Sequence, residues 1–188
     1  GNTMGMNNLG VSYEKGLGLA KDIDQALYWY RKSADLNDTR GMCHLGLLYE
    51  KGLGVAQDHA AAERLFRAAA ERDNSWAMGH LGLIYEDGIG RRKDYAEAMR
   101  WYRKSMELGD DEAMYRLGRF YEKGYAVSRD YGTALSWYRR AAEAHNPAAM
   151  DAIGRLYREG RGVEKDEAEA ARWFEKAVRL DYPGAMVD

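Results

Sequence analysis

The residues of this chain with the most potential for chemistry are two histidines at equivalent positions and one cysteine. His44 and His80 are 36 residues apart, and Cys43 directly precedes His44. A shared zinc ion would require these side chains to converge on one point. If both histidines lie on neighbouring packed helices, they are about 10 Å apart. Cys43 would then point roughly 100° away from His44 around its helix. The pattern therefore predicts no metal site.

Carboxylates recur through the chain, but their arrangement is not that of a catalytic pair. A glutamate follows a tyrosine at four equivalent places: Glu14, Glu50, Glu86 and Glu122. A catalytic pair occurs once in an active site, so a pattern that recurs in register favours a structural role. The chain also has no Gly-x-Ser-x-Gly nucleophile motif and no phosphate-binding loop. We predict that it is not an enzyme and that it uses no cofactor.

The near-neutral charge of the chain argues against two classes of binding partner. Lys and Arg total 28, Asp and Glu total 30, and the formal net charge is −2. This balance predicts neither a nucleic acid nor an anionic membrane as partner. The single cysteine cannot form an internal disulfide, and neither a signal peptide nor an apolar membrane-spanning run is visible. Cytoplasmic and periplasmic locations both fit this composition.

A repeat of 36 residues positions all of these side chains. Leu-Gly or Ile-Gly pairs end at Gly10, Gly46, Gly82, Gly118 and Gly154, each followed three residues later by a tyrosine. Further glycine, aspartate, alanine and aromatic positions recur in the same register. The sequence therefore predicts a single repeat array over residues 1–188, with units near 2–37, 38–73, 74–109, 110–145 and 146–181, and 182–188 as the start of a sixth helix hairpin.

Each unit is predicted to fold as two antiparallel helices. An Asn or Asp that can cap a helix precedes the first helix, and an Asp precedes the second. The spacing predicts helices at residues 3–14, 23–36, 39–50, 59–72, 75–86, 95–108, 111–122, 131–144, 147–158 and 167–180. No segment shows the alternation of a strand. The predicted fold class is all-α.

The repeated motif resembles that of the Sel-one-like repeat family, relatives of the tetratricopeptide repeats. The first unit carries the pattern in one stretch: Leu9, Gly10, Tyr13, Glu14, Gly16, Gly18, Asp22, Ala26, Trp29 and Tyr30. The departures are local: Leu65 replaces a tryptophan, Ala126 a loop glycine and Arg158 a glutamate. The resemblance covers essentially the whole chain.

This resemblance implies a fold and a class of function. The fold is a right-handed α/α superhelical solenoid of five 36-residue helix hairpins, with the first helices lining its concave side. Such proteins, many of them bacterial, are adaptors that hold peptides or protein partners. Some are secreted with one disulfide in each repeat, and this sequence lacks the necessary cysteines.

One face of the first helices varies between the copies, at the second, fifth, sixth and ninth positions after the cap. These positions share a helix face because they differ by three, four or seven residues. Trp76 and Tyr115 are candidate anchors, and arginines are suited to clamping a carboxylate. The candidate binding residues, predicted to form one continuous exposed surface, are Met4, Asn8, Arg40, His44, Trp76, His80, Tyr115, Arg116, Arg119 and Arg155.

Two functions fit this variable face. It is either the surface of a protein- or peptide-binding scaffold, with an acidic partner favoured by the arginines, or a face that drifts because packing does not constrain it. In the second case the chain would be a structural spacer or assembly unit. We expect the binding scaffold, with the spacer as the alternative.

A swap of charges in the fifth copy predicts an ion pair within each repeat. Four copies have a Glu after the tyrosine and an Arg seventeen residues later, as at Glu14 and Arg31, whereas the fifth has Arg158 and Glu175. Since both signs reverse together, we expect these two side chains to meet.

The two ends of the chain look like internal parts of an array. The chain opens at a helix cap, and Ala185-Met186 matches Ala149-Met150. A bare hairpin exposes an apolar side that a neighbouring unit would cover. We therefore expect self-association in which one or both ends stack against another molecule, head to tail or end to end.

Overall fold

The structure, a computed structural model, describes residues 2–181 and contains ten α-helices and no β-strand within that range. The helices are α1 (Thr3–Lys15), α2 (Ile23–Asp35), α3 (Thr39–Lys51), α4 (His59–Ala70), α5 (Ser75–Asp87), α6 (Tyr95–Glu107), α7 (Asp111–Lys123), α8 (Tyr131–Glu143), α9 (Pro147–Glu159) and α10 (Glu167–Asp181). The predicted all-α class is confirmed. Every helix begins at its predicted residue and ends within two residues of the predicted end. The proposed sixth unit, at 182–188, lies outside the described residues.

The helix boundaries follow from capping side chains and loop glycines. Asp38 accepts hydrogen bonds from the backbone N–H groups of Arg40 and Gly41 at the start of α3, which satisfies donors that the helix leaves free. α3 ends at Gly52, whose φ of 66° favours glycine. The loop that follows is closed by the Asp58 N–H, which donates to the Tyr49 carbonyl at 3.0 Å. The other loops between paired helices close in the same way.

The helices group into two compact units, Gly1–Asp94 and Tyr95–Asp188. The first contains α1 to α5, and its buried residues include Ala26, Tyr30 and Leu48. The second contains α6 to α10, and its core includes Tyr138 and Ile153. Within residues 2–181, no helix combines the length and the apolar character needed to cross a bilayer.

In four of the hairpins, a glycine paired with an aromatic residue marks the point where the two helices cross. A Cβ atom built on Gly10 would lie 2.4 Å from the Tyr30 ring, and one on Gly118 would lie 2.5 Å from the Tyr138 ring. Carbon atoms that are not bonded to each other do not come this close. The glycine therefore lets a fully buried aromatic ring lie directly against the backbone of the first helix.

We expect Gly118→Ala to destabilise the protein by about 1–3 kcal/mol, because the added methyl group must displace the buried Tyr138 ring. The matched control is Gly132→Ala, at an exposed position of α8 where the nearest contact of the new Cβ is 3.4 Å. This second change should be neutral or stabilising because alanine favours the helix. Urea unfolding measures both effects. Equal stability of the two variants would show that the glycine contact does not constrain the crossing.

Candidate functional site

The best-formed candidate site on the first helices lies between α3 and α5, around Trp76. A cavity of about 300 Å³ opens there, lined by Arg40, Cys43, His44, Asn74 and Trp76. We call it the Trp76 pocket. Three of the predicted binding residues, Arg40, His44 and Trp76, therefore come together at one place.

Aromatic neighbours fix the position of Trp76 while leaving much of it open to solvent. Its ring centroid lies 3.9 Å from that of His80 and 6.4 Å from that of His44. Phe66 meets it edge-on at 6.1 Å. Trp76 nevertheless remains 42% exposed. A large aromatic side chain that is both held in place and exposed is typical of a binding anchor.

The two histidines take part in packing as well as in the predicted face. His44 stacks on Tyr30 at 4.7 Å, and His80 stacks on Phe66 at 5.2 Å, both with nearly parallel rings. Burial lowers the pKa of His44, so this imidazole is neutral at pH 7. Arg40 is therefore the cation at the rim of the Trp76 pocket. Its guanidinium lies 3.4 Å from Asp38 and stays largely exposed. Within residues 2–181, no cluster of three or more potential metal ligands occurs.

The fifth position after the cap does not belong to the open face in the first two repeats, contrary to the prediction. Asn7 is 4% exposed and donates to the Asp38 carboxylate at 3.0 Å. Cys43 is 2% exposed, and its thiol lies 3.7 Å from the Asn74 side-chain oxygen. In both cases the side chain contacts the capping residue of the next first helix. Burial raises the pKa of the Cys43 thiol to about 12, which leaves it unreactive at neutral pH.

Met4 and Asn8, the candidates on α1, are both exposed. Neither lines the Trp76 pocket. Their place on the predicted binding surface therefore remains a prediction.

The other four candidates, Tyr115, Arg116, Arg119 and Arg155, lie in the second unit on α7 and α9 and are half-buried. Arg116 pairs with Glu112, one turn earlier in α7, at 2.7 Å. Arg155 pairs in the same way with Asp151. Carboxylates on the same helices therefore offset part of the positive charge that the sequence predicted for this end of the face.

The predicted ion pair within each repeat is wrong. Glu14 instead accepts a hydrogen bond from the buried Tyr30 hydroxyl at 2.7 Å, and Arg31 donates to the Tyr49 hydroxyl of the next repeat at 3.2 Å. The glutamate thus connects the two helices of its own hairpin, while the arginine connects one hairpin to the next. Burial and the neighbouring Glu14 raise the pKa of Tyr30, so its hydroxyl remains a donor.

The fourth and fifth repeats explain why an arginine, Arg158, replaces the glutamate in the fifth copy. Glu122 accepts from Tyr138 at 2.5 Å, and Arg139 donates to Tyr157 at 3.0 Å. In the fifth repeat Phe174 has no hydroxyl, and the Arg158 guanidinium lies 5.4 Å from its ring centroid. The face of an aromatic ring attracts a cation. Arg158 can therefore make a cation–π contact with Phe174, where Glu122 accepts a hydrogen bond from Tyr138.

The second repeat keeps its glutamate but lacks the hydroxyl. Phe66 stands where Tyr30 and Tyr138 stand in their own repeats. One carboxylate oxygen of Glu50 is buried without a hydrogen-bond partner. Burial accordingly raises the pKa of Glu50. In Glu122, by contrast, burial alone would raise the pKa, but hydrogen bonds from Tyr138 and Lys123 outweigh that effect and lower it.

We expect Phe66→Tyr to stabilise the protein by about 1 kcal/mol, because the new hydroxyl can donate to the buried Glu50 carboxylate. The pKa of Glu50, followed by NMR, should fall. The gain over the unmodified chain should be full above the raised Glu50 pKa of that chain and fade as the pH falls from there to the lower folded-state pKa of the variant.

The opposite change, Tyr138→Phe, removes the hydroxyl that donates a hydrogen bond to Glu122. It should cost about 1.5–3 kcal/mol, since it leaves one oxygen of the Glu122 carboxylate without its donor. If both variants shifted the unfolding midpoint in the same direction, this account of the Glu–Tyr contact would be refuted.

Comparison with known proteins agrees with this architecture. The family pattern described as Sel1 repeat matches residues 3–38, 39–74, 77–110, 111–146 and 147–182. These segments correspond closely to the five predicted units. A comparison with curated proteins gives no match.

Several solved structures resemble the chain. A Sel1 repeat protein from Oxalobacter formigenes is 36% identical with a TM-score of 0.89, over 95% of this chain and 73% of that one. The protective antigen c5321 of uropathogenic Escherichia coli, described as displaying an SLR fold, is 30% identical with a TM-score of 0.82, over 94% of this chain and 38% of its own. Helicobacter pylori cysteine rich protein B is 26% identical with a TM-score of 0.52, over 69% of this chain and 96% of its own.

Proposed function

Because the chain belongs to the Sel1 repeat family, whose members generally serve as protein-interaction scaffolds, we propose that it binds a protein or peptide ligand at the Trp76 pocket. The family is one of non-catalytic repeat scaffolds. The ligand-binding face in this proposal is the variable face of the first helices.

The observation that carries the proposal is the exposure of Trp76 above a pocket. Scattered apolar side chains are normal on a protein surface, but this indole lies beside a cavity of about 300 Å³, and its ring centroid lies 3.9 Å from that of His80. A ligand side chain that enters the cavity would cover the indole and leave its position unchanged. Little conformational entropy would be lost on the protein side, which favours binding.

The polar groups of the pocket suggest the chemistry of the ligand. Arg40 is the charged group at its rim, and the neutral His44 imidazole and the Asn74 amide complete the lining. Arginine pairs well with a carboxylate. The preferred ligand in this proposal is a peptide in which an apolar or aromatic side chain lies next to an acidic one.

The alternative, a structural spacer, is supported by a different observation. The contacts from Asn7 to Asp38 and from Cys43 to Asn74 show that part of the variable face connects consecutive repeats. A chain whose variable residues all served such contacts would need no ligand. Trp76 distinguishes the binding scaffold from the spacer, because its exposed surface contributes nothing to the packing of one repeat on the next.

We expect Trp76→Ala to weaken peptide binding at least tenfold, which corresponds to about 1.4 kcal/mol. An array of twelve-residue peptides that vary in charge and aromatic content would identify ligands, and fluorescence anisotropy would measure their affinities. The matched control is Tyr28→Ala, which removes another exposed aromatic side chain of the first unit, on α2. Binding should be unchanged in that control. An array without ligands, or ligands that bind Trp76→Ala as tightly as the unmodified chain, would favour the spacer.

A further inference from the structure

A second cavity, independent of the Trp76 pocket, lies in the second unit between the second helices α8 and α10. Its volume is about 540 Å³. Ala142, Met150, Trp173 and Leu180 supply apolar surface, and Arg139, Lys176 and Arg179 supply positive charge. We call this cavity the α8–α10 groove. Its volume falls within the range of protein clefts that hold ligands, roughly 300–1,000 Å³.

The equivalent surface one repeat earlier is occupied by side chains of the protein. There Met106 stands in place of Ala142, and Arg140 stands in place of Lys176. The Arg140 guanidinium lies 3.7 Å from the Met106 sulfur and 4.6 Å from the Trp137 ring centroid. Met106 and Arg140 therefore bridge α6 and α8 across the tryptophan. An alanine at position 142 is too short to form that bridge.

The equivalent surface between α2 and α4 is bridged in another way. Arg72 donates to the Asn37 side chain at 3.2 Å. The corresponding residues of the α8–α10 groove are Leu180 and His145. Leucine cannot donate a hydrogen bond, and Leu180 instead remains 40% exposed at the groove. The α8–α10 groove therefore has neither the Met106–Arg140 contact nor the Asn37–Arg72 contact. The reason is that Ala142, His145 and Leu180 stand at the equivalent positions.

The charges around the groove are unbalanced. Arg139 contributes a cation from α8, and Lys176 and Arg179 contribute two from α10, whereas Glu143 is the acidic residue among those that line the groove. The Lys176 ammonium lies 4.0 Å from the Trp173 ring centroid. An acidic ligand would therefore meet positive charge on both walls of an apolar floor.

We propose that the α8–α10 groove is a docking site for an acidic peptide segment that inserts one bulky apolar side chain. The apolar side chain would occupy the space above Ala142, beside Trp173, which Met106 fills in the preceding repeat. Carboxylates on either side of it would face Arg139 on one wall and Lys176 and Arg179 on the other. An anionic amphiphile carries its charge at one end only, so it matches this two-sided arrangement less well.

The test uses the full chain and a fluorescein-labelled peptide with Phe-Leu at its centre and three glutamates on each side. The unmodified protein should bind this peptide, bind it more weakly as salt screens the charges, and reject versions with Ser-Ser at the centre or lysines at the flanks. Ala142→Met fills the groove with the residue that the preceding repeat already carries. It should weaken binding at least tenfold without lowering the unfolding midpoint. Lys176→Glu should also weaken binding at least tenfold.

A second design closes the groove without relying on a new core side chain. The double change His145→Asn and Leu180→Arg copies the Asn37–Arg72 bridge and should likewise weaken binding at least tenfold. Because this peptide also suits the Trp76 pocket, both groove-closing designs are repeated in a Trp76→Ala background, where the peptide should still bind and each design should still weaken its binding at least tenfold. The proposal is overturned by unchanged binding in both groove-closing designs, by complete loss of binding in the Trp76→Ala background alone, or by binding of sodium laurate but not the peptide.

Discussion

The close approach of an aromatic ring to a glycine is the contact on which four of the hairpins depend. Where Tyr30 lies against Gly10 and Tyr138 against Gly118, the ring leaves no room for a Cβ atom on the facing helix. Burial of a large aromatic side chain is a major apolar contribution to folding. The same contact fixes how closely the two helices approach, and so determines where the remaining side chains of each helix lie.

The aromatic ring also carries the polar connection of the hairpin. A tyrosine hydroxyl that reaches the glutamate at the end of the first helix gives a buried carboxylate its donor, as Tyr138 does for Glu122. Where the ring is a phenylalanine, the chain either replaces the glutamate with an arginine, as at Arg158, or leaves one buried carboxylate oxygen without a hydrogen-bond partner, as at Glu50. Buried polar groups are usually paired, so Glu50 is the unusual member of this series.

The candidate binding surfaces lie where neighbouring repeats differ in the size of one side chain. Trp76 is the large exposed aromatic residue among the smaller or polar side chains at its position, and it borders the Trp76 pocket. Ala142 is small where Met106 fills the equivalent surface, and it forms the floor of the α8–α10 groove. Repetition supplies a rigid framework in which a local change in side-chain size opens a cavity without altering the helices. Binding sites on repeat proteins can therefore differ between copies of nearly identical structure.

The sequence by itself determined the class, number and boundaries of the helices. The glycine, aspartate and tyrosine series act through local physics, because capping and left-handed glycine conformations depend on residues within one turn. The same comparison of copies predicted the exposure of Trp76, and it placed Arg40, His44 and Trp76 in one group of binding candidates.

Only the tertiary structure decided which side chains meet across helices. The joint reversal at Arg158 and Glu175 indicated a contact, but it could not distinguish a direct ion pair from two separate contacts to tyrosine hydroxyls. The periodicity placed Asn7 and Cys43 on the variable face, yet the capping residues of the next repeat cover them. It also gave no sign of the α8–α10 groove, because a cavity depends on the combined volumes of residues from three helices. Sequence spacing reports neighbours along one helix, whereas these features depend on the distances between helices.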